Sequence, residues 1–251
     1  MHAQLTFLGT AGDASTMGKQ LLASGGIILL HDHLQLHIDP GPGSLVQYPR
    51  AQLSVRNTDI IMTTQDALLY AHDVHAVVQG MTVGGLDRKG VFIHGPIAYK
   101  SIHKEYLTAI ERTISLQHTD TVGINEVTIY PFINEQHTAY IIDTQEYKVG
   151  ISGPKLLNKQ SVAFFKGVDI LVVYASPTYT IEQLGDFIDT ISPRLVVLTH
   201  FSIKMMQDTL YYARTLQRNT AVQCIAAKDL LTLNPMSYRQ KEKQTLISGI
   251  N

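Results

Sequence analysis

Ile60-Ile61-Met62-Thr63-Thr64-Gln65-Asp66-Ala67-Leu68-Leu69-Tyr70-Ala71-His72-Asp73 is the stretch whose reading decides the fold. An apolar run ends in Thr63-Thr64, a short loop follows, and an amphipathic segment opens near Ala71. Beyond it Ala71, Val74, Val78 and Met81 recur at spacings of three and four, which gives a helix one apolar stripe, and Gly84-Gly85 stops it. The stretch is therefore a buried strand, a turn and a helix packed back against the strand.

Working outward toward the N-terminus, Gln4 to Leu8 reads as an opening strand that meets the glycine-rich loop Gly9-Thr10-Ala11-Gly12-Asp13. That loop lacks the Lys-Ser/Thr of a phosphate cradle, so its expected role is a structural turn. Gly26 to Leu30 and Leu34 to Asp39 are two strands joined at the tight hairpin His31-Asp32-His33. Consecutive strand residues point to opposite faces and a hairpin tip offers no third ligand, so no metal is expected there. Asp39-Pro40-Gly41-Pro42-Gly43 then turns the chain sharply into a short helix, Ser44 to Tyr48.

Toward the C-terminus, Val91 to Ile93 is a short strand and helix is favoured around Lys104 to Ile110. The period then changes to two: Thr113 to Leu116, Val127 to Tyr130, Thr138 to Asp143 and Tyr147 to Ser152 read as successive antiparallel strands. Helix (Leu156 to Phe165), strand (Ile170 to Tyr174), helix (Ile181 to Ile191), strand (Leu195 to Leu198) and a long helix from Ile203 to about Arg218 follow. A short strand pair, Val222 to Ile225 with Leu230 to Leu233, precedes a polar tail.

Meander plus helix, repeated with alternating helix and strand, predicts an α/β fold: a four-layer αββα sandwich of two sheets, each covered on its outer face by helices. No linker composition divides the chain, so residues 1–251 are expected to form one domain with a polar tail from about 237. A content of 45% hydrophobic and 16% charged residues suits a well-buried core. The net charge of −1 leaves nucleic-acid binding possible but unsupported. One cysteine, Cys224, excludes an internal disulfide framework, and no apolar run approaches the roughly 20 residues that span a bilayer. A cytoplasmic protein without a membrane partner is the expectation.

Taken together, these segments resemble the metallo-β-lactamase fold hydrolases, a family that includes RNase Z-type phosphodiesterases, and in particular a prokaryotic, especially archaeal, branch. Leu5-Thr6-Phe7-Leu8-Gly9-Thr10-Ala11-Gly12 is similar to the family's opening strand and loop. His37-Ile38-Asp39-Pro40-Gly41-Pro42-Gly43 is similar to its Ile-Asp-x-Gly-x-Gly turn. Met81-Thr82 to Gly90 and Leu198-Thr199-His200-Phe201-Ser202-Ile203-Lys204-Met205 resemble further segments of it.

The resemblance implies a dinuclear metal centre, with two ions about 3.5–4 Å apart that polarise substrate and generate hydroxide. Its signature, Thr-His-x-His-x-Asp-His, falls here on Thr64, with Gln65 and Ala67 at the first two histidines and Leu69 and Tyr70 at Asp-His. Alanine and leucine cannot coordinate, and neutral Gln and Tyr are poor zinc-type ligands. The next histidine position falls on Asn134, or on His137 with a small shift. The bridging aspartate falls in Ile151-Ser152-Gly153-Pro154, which has no carboxylate, and His200 alone stands at the last histidine. A displaced site at His72, Asp73 and His75 is disfavoured, because Asp73 at a helix start is better explained structurally.

Three functions follow as expectations. The first is a non-catalytic protein acting as a structural or regulatory subunit, paired with itself or with an active relative, and holding no metal. Its degenerate cleft would be lined by Gln65, Asp66, Tyr70, Asn134 and His200. The alternative is a hydrolase or phosphodiesterase with one zinc, iron or manganese ion in a reduced or rebuilt site around His200, His137 and His72. The third is small-ligand or nucleic-acid binding in the vacated cleft.

Overall fold

The computed structural model describes residues 2–96, 102–117, 120–135, 137–155, 158–175 and 178–239. The expected helix start at Leu156 and Leu157, Gln136 and the tail from residue 240 lie outside the described residues.

Strands β1 (Ala3–Phe7), β2 (Ile27–His31), β3 (Leu34–Ile38), β4 (Thr58–Met62), β5 (Val91–His94) and β6 (Arg112–Ser115) lie side by side in one sheet. The first three pair antiparallel and the rest parallel. The second sheet runs β7 (Val122–Ile124), β8 (Val127–Asn134), β9 (His137–Asp143), β10 (Lys148–Ile151), β11 (Ile170–Tyr174), β12 (Leu195–Thr199) and β13 (Gln223–Ala226). Finally β14 (Thr232–Leu233) returns to the first sheet beside β1.

Side-chain alternation divides each central strand between two cores. In β4, Ile60 and Met62 enter the core between the sheets, whereas Ile61 faces an outer core with Val74, Val77, Val78 and Met81. In β11, Ile170, Val172 and Tyr174 face the other sheet, whereas Leu171 and Val173 pack under the helices Ile181–Ile191 and Thr209–Thr220. This produces the four-layer αββα order expected from the sequence.

Three local expectations are corrected. The segment at Thr113 is not the first strand of the second meander; it is β6, parallel to β5 on the edge of the first sheet. The C-terminal strands do not pair with each other, since β13 extends the second sheet parallel to β12 and β14 extends the first against β1. Pattern shows that a segment is extended but not which edge it joins. The last long helix starts at Thr209, after a 3-10 turn at Met206–Asp208, and Asp208 caps it by accepting from the Tyr211 N–H at 3.0 Å.

The helix after the opening stretch is also interrupted. Leu68–Ala71 forms a single turn, and Val74–Met81 begins anew behind Asp73. Asp73 Oδ2 accepts from the backbone N–H groups of Gly43 (2.8 Å) and Ser44 (2.9 Å), and its own N–H donates to the Pro40 carbonyl. The Pro-Gly turn and the helix start are thereby clamped together.

Candidate functional site at His200

Strands β3, β4, β9, β11 and β12 bring one set of termini to a common end of the sandwich, where Asp39, Thr64, His137, Tyr174 and His200 gather. Asp39 is fully buried and has a positive φ of 54°. Its Oδ1 accepts from the Thr64 N–H (2.6 Å), and its Oδ2 accepts from the hydroxyls of Thr64 (2.7 Å) and Tyr174 (2.5 Å). Burial pushes the Asp39 carboxyl up to about 7, even though these three donors pull the other way. The carboxylate and carboxylic acid forms are thus both populated near neutral pH.

Three aromatic rings lie parallel beside this carboxyl. Tyr174 stacks on His200 with centroids 3.7 Å apart and planes 12° apart. Tyr70 lies parallel to His200 at 5.5 Å and to Tyr174 at 6.1 Å. His200 is 6% exposed, and its Nδ1 has no hydrogen-bond partner among the described residues. Burial lowers the imidazole to about 3, so the ring is neutral at physiological pH. Burial likewise drives the phenols of Tyr70 and Tyr174 above their ordinary range, with the Asp39 charge adding to it, and both stay protonated.

The backbone at His200 is held in the left-handed region, φ 56°, by the glycine-rich opening loop. The Phe201 N–H donates to the Thr10 carbonyl (2.7 Å), the Gly12 N–H to the Phe201 carbonyl (2.9 Å), and the Ile203 N–H to Asp13 Oδ2 (2.8 Å). A Cβ on Gly12 would run into the His200 carbonyl, so only glycine permits this approach. The loop is structural, as expected, but what it positions is His200. Nothing in the local sequence announces that contact between opposite ends of the chain.

Of the other expected cleft residues, Gln65, Asp66 and Asn134 are half-buried, with Gln65 and Asp66 in the loop between Thr64 and Tyr70. Asn134 and His137 face each other across the end of the β8–β9 hairpin, so the two alternatives for that ligand position are neighbours. The hairpin is tied to the opening stretch by the Thr138 N–H donating to the Thr64 carbonyl (2.8 Å). His137 is buried, its Nδ1 has no partner, and burial followed by Lys155 lowers its pKa. Ser152, in the segment where a bridging carboxylate was expected to be missing, donates its hydroxyl to the Gly153 carbonyl (2.9 Å) and accepts from the Tyr174 N–H (3.0 Å). His72 sits apart in a surface concavity with Asp73, His75 and His103, where it pairs with Asp73 at 2.9 Å. One participant was not anticipated: His94, at the end of β5, is buried and lies within the electrostatic reach of Asp66. A single histidine closing a four-residue strand gives no signal of that in the sequence.

These donors do not fit a dinuclear metal centre. Gln65, Ala67, Leu69, Tyr70, Ser152 and Gly153 bring neither an imidazole nor a carboxylate to this end, and neither Ser152 nor Gly153 can bridge two ions. Among the described residues, no three His, Cys, Asp or Glu side chains at this end converge on a common point.

No protein-family model matches the chain. It is 23% identical over 253 residues to an uncharacterized protein of Methanocaldococcus jannaschii, covering 91% of this chain and 93% of that one. Among solved structures it is similar to the metallo-β-lactamase fold protein YhfI of Bacillus subtilis (TM-score 0.76, 14% identity, 92% and 98% of the two chains). It is also similar to the human short-form tRNase Z (TM-score 0.68, 15% identity, 92% and 99%). A diphosphatase of the PhnP family matches at TM-score 0.68 and 16% identity, over 93% and 97%. The chain has the metallo-β-lactamase fold. No helix among the described residues is long and apolar enough to cross a membrane.

Proposed function

We propose that this chain is a hydrolase or phosphodiesterase with a reduced site centred on His200, working without a pair of metal ions. The similar structures favour a hydrolytic reading over a non-catalytic one: one is named a tRNase and another a diphosphatase. The same company favours a single metal ion over the metal-free state expected from the sequence. The observation that carries the reading is the buried, neutral imidazole of His200, whose Nδ1 has no partner.

Tyr174 links this ring to Asp39, by stacking on one and donating to the other. Tyr174 thus stands between a lone-pair acceptor and a carboxyl group that titrates near 7. Turnover of bis(p-nitrophenyl) phosphate, with metal content measured on the same sample, tests the proposal. Activity should fall at least 100-fold in His200→Ala. Wild type with neither metal nor turnover would contradict it.

The second reading is a non-catalytic structural or regulatory subunit, alone as an oligomer or with an active relative. Its support is specific: Tyr70 and Tyr174 stack around His200 and leave that end of the cleft filled by rings. Co-purification of a histidine-complete relative from the native cell, together with absent turnover, would favour it.

A further inference from the structure

At the other end of β3 from Asp39, two hairpins from opposite sheets meet. The β2–β3 turn carries His31 and Asp32, and the β7–β8 turn carries Glu126. One ligand atom from each of the three lies within 4.8 Å of the other two. Three donors that each sit about 2.0–2.3 Å from a common ion lie about 3.3–4.0 Å from one another, so closure by about 1 Å would complete the set. Glu126 is exposed on a turn and free to supply that movement. We propose that His31, Asp32 and Glu126 form a mononuclear site for a divalent transition metal, of the zinc or manganese class.

A second, independent observation concerns His31 itself. The residue is 4% exposed, and its Nδ1 meets the Tyr147 hydroxyl at 3.3 Å, with the rings edge to face at 5.5 Å. Among the described residues its hydrogen bond is the one at Nδ1, and His31 lines a cavity of about 500 Å³ together with Asp32, Asp59, Lys89, Glu111 and Glu126. The Tyr147 hydroxyl oxygen is an acceptor within reach of Nδ1–H. That tautomer leaves the Nε2 lone pair available, which is the arrangement a ligating histidine takes when its other nitrogen is oriented by an outer partner.

Asp32 Oδ1 accepts from the His2 N–H at 2.9 Å, which fixes the carboxyl group on the turn. Lys89, the cation on this cavity, is engaged elsewhere, donating to the Arg56 carbonyl (2.9 Å) and lying 3.5 Å from Asp59. The hairpin was set aside on sequence for want of a third ligand, and Glu126 of the opposite sheet supplies it. One imidazole with two carboxylates suits zinc or manganese better than calcium, which takes oxygen alone.

The site stands independently of the His200 cleft, and the test keeps them apart. Metal-stripped full-length chain is titrated with ZnCl2 and with MnCl2 against a chromogenic chelator, using wild type, Glu126→Gln, Asp32→Asn and His200→Ala. One ion per chain is expected beyond any held at His200, with its affinity weakened at least tenfold in both Glu126→Gln and Asp32→Asn and retained in His200→Ala. Thermal melts of the metal-free variants verify that they fold, and the wild-type melt should rise with metal where that of Glu126→Gln does not. Absence of binding by folded wild type, equal binding by Glu126→Gln, or loss in His200→Ala alone would each overturn the proposal.

Discussion

Protonating His200 or His37 places charge where the folded chain has no room for it. His37 is fully buried, its Nε2 against the Gly25 carbonyl (2.8 Å) and its Nδ1 against the Tyr48 hydroxyl (2.9 Å), and burial lowers it to about 4. His200 is lowered to about 3. Between pH 6.5 and 4 the unfolded chain therefore takes up two protons that the folded chain refuses, and stability falls as pH falls, by about 2 kcal/mol per histidine at pH 5. Asp39 has the opposite sign. Its folded value of about 7 lies above the ordinary 3.8, so its contribution is full in acid and is lost as pH rises through 7. Urea unfolding at pH 7 and pH 5 should show a net wild-type loss of ~1–2 kcal/mol. Asp39→Asn, which cannot take up the offsetting proton, should lose about twice as much. Equal losses would contradict the Asp39 assignment. Tyr174→Phe removes the 2.5 Å donor from the same carboxyl, so infrared titration of the buried carboxylic acid should place its midpoint above that of wild type.

The elements that matter most at the site are two turns and the loop they hold. Gly12 lets the opening loop lie against the His200 backbone, and Gly12→Ala should destabilise by about 2–3 kcal/mol because the added carbon meets a carbonyl rather than a movable side chain. Asp73 clamps the Pro-Gly turn, and Asp73→Ala should cost about 2 kcal/mol, read as a lower denaturation midpoint at unchanged slope. Elements were legible in the sequence where one physical rule sufficed. Ile60, Ile61 and Met62 are apolar on both faces because β4 is covered on both, and the spacing of Val74, Val78 and Met81 gave the helix behind it. Partnership was not legible. Thr113 and its neighbours are extended whichever sheet they join, and β14 finds β1 only because the chain's last turn passes the edge of the first sheet.

Across the whole molecule, the same limit separates what the sequence announced from what it withheld. The succession of strands and helices was enough to predict a four-layer sandwich. The absence of imidazole and carboxylate at Gln65, Ala67, Leu69 and Tyr70 is readable residue by residue, whereas the hydrogen bonds from Thr64 to Asp39 that hold the start of that stretch are seen only in the fold. The stacking of Tyr70, Tyr174 and His200, and the meeting of His31 and Asp32 with Glu126, depend on strands of different sheets ending at the same level. No local pattern encodes either. The molecule thus has two chemically distinct ends: one lined by the parallel rings of Tyr70, Tyr174 and His200, and an open one with a three-donor cluster.

The central claim is that the His200 cleft holds no pair of metal ions. Anomalous diffraction at the zinc edge, from crystals grown with excess ZnCl2, tests it most directly. The account predicts no pair of peaks in that cleft, with at most one ion near His200. Two peaks about 3.5–4 Å apart beside His200 would contradict it.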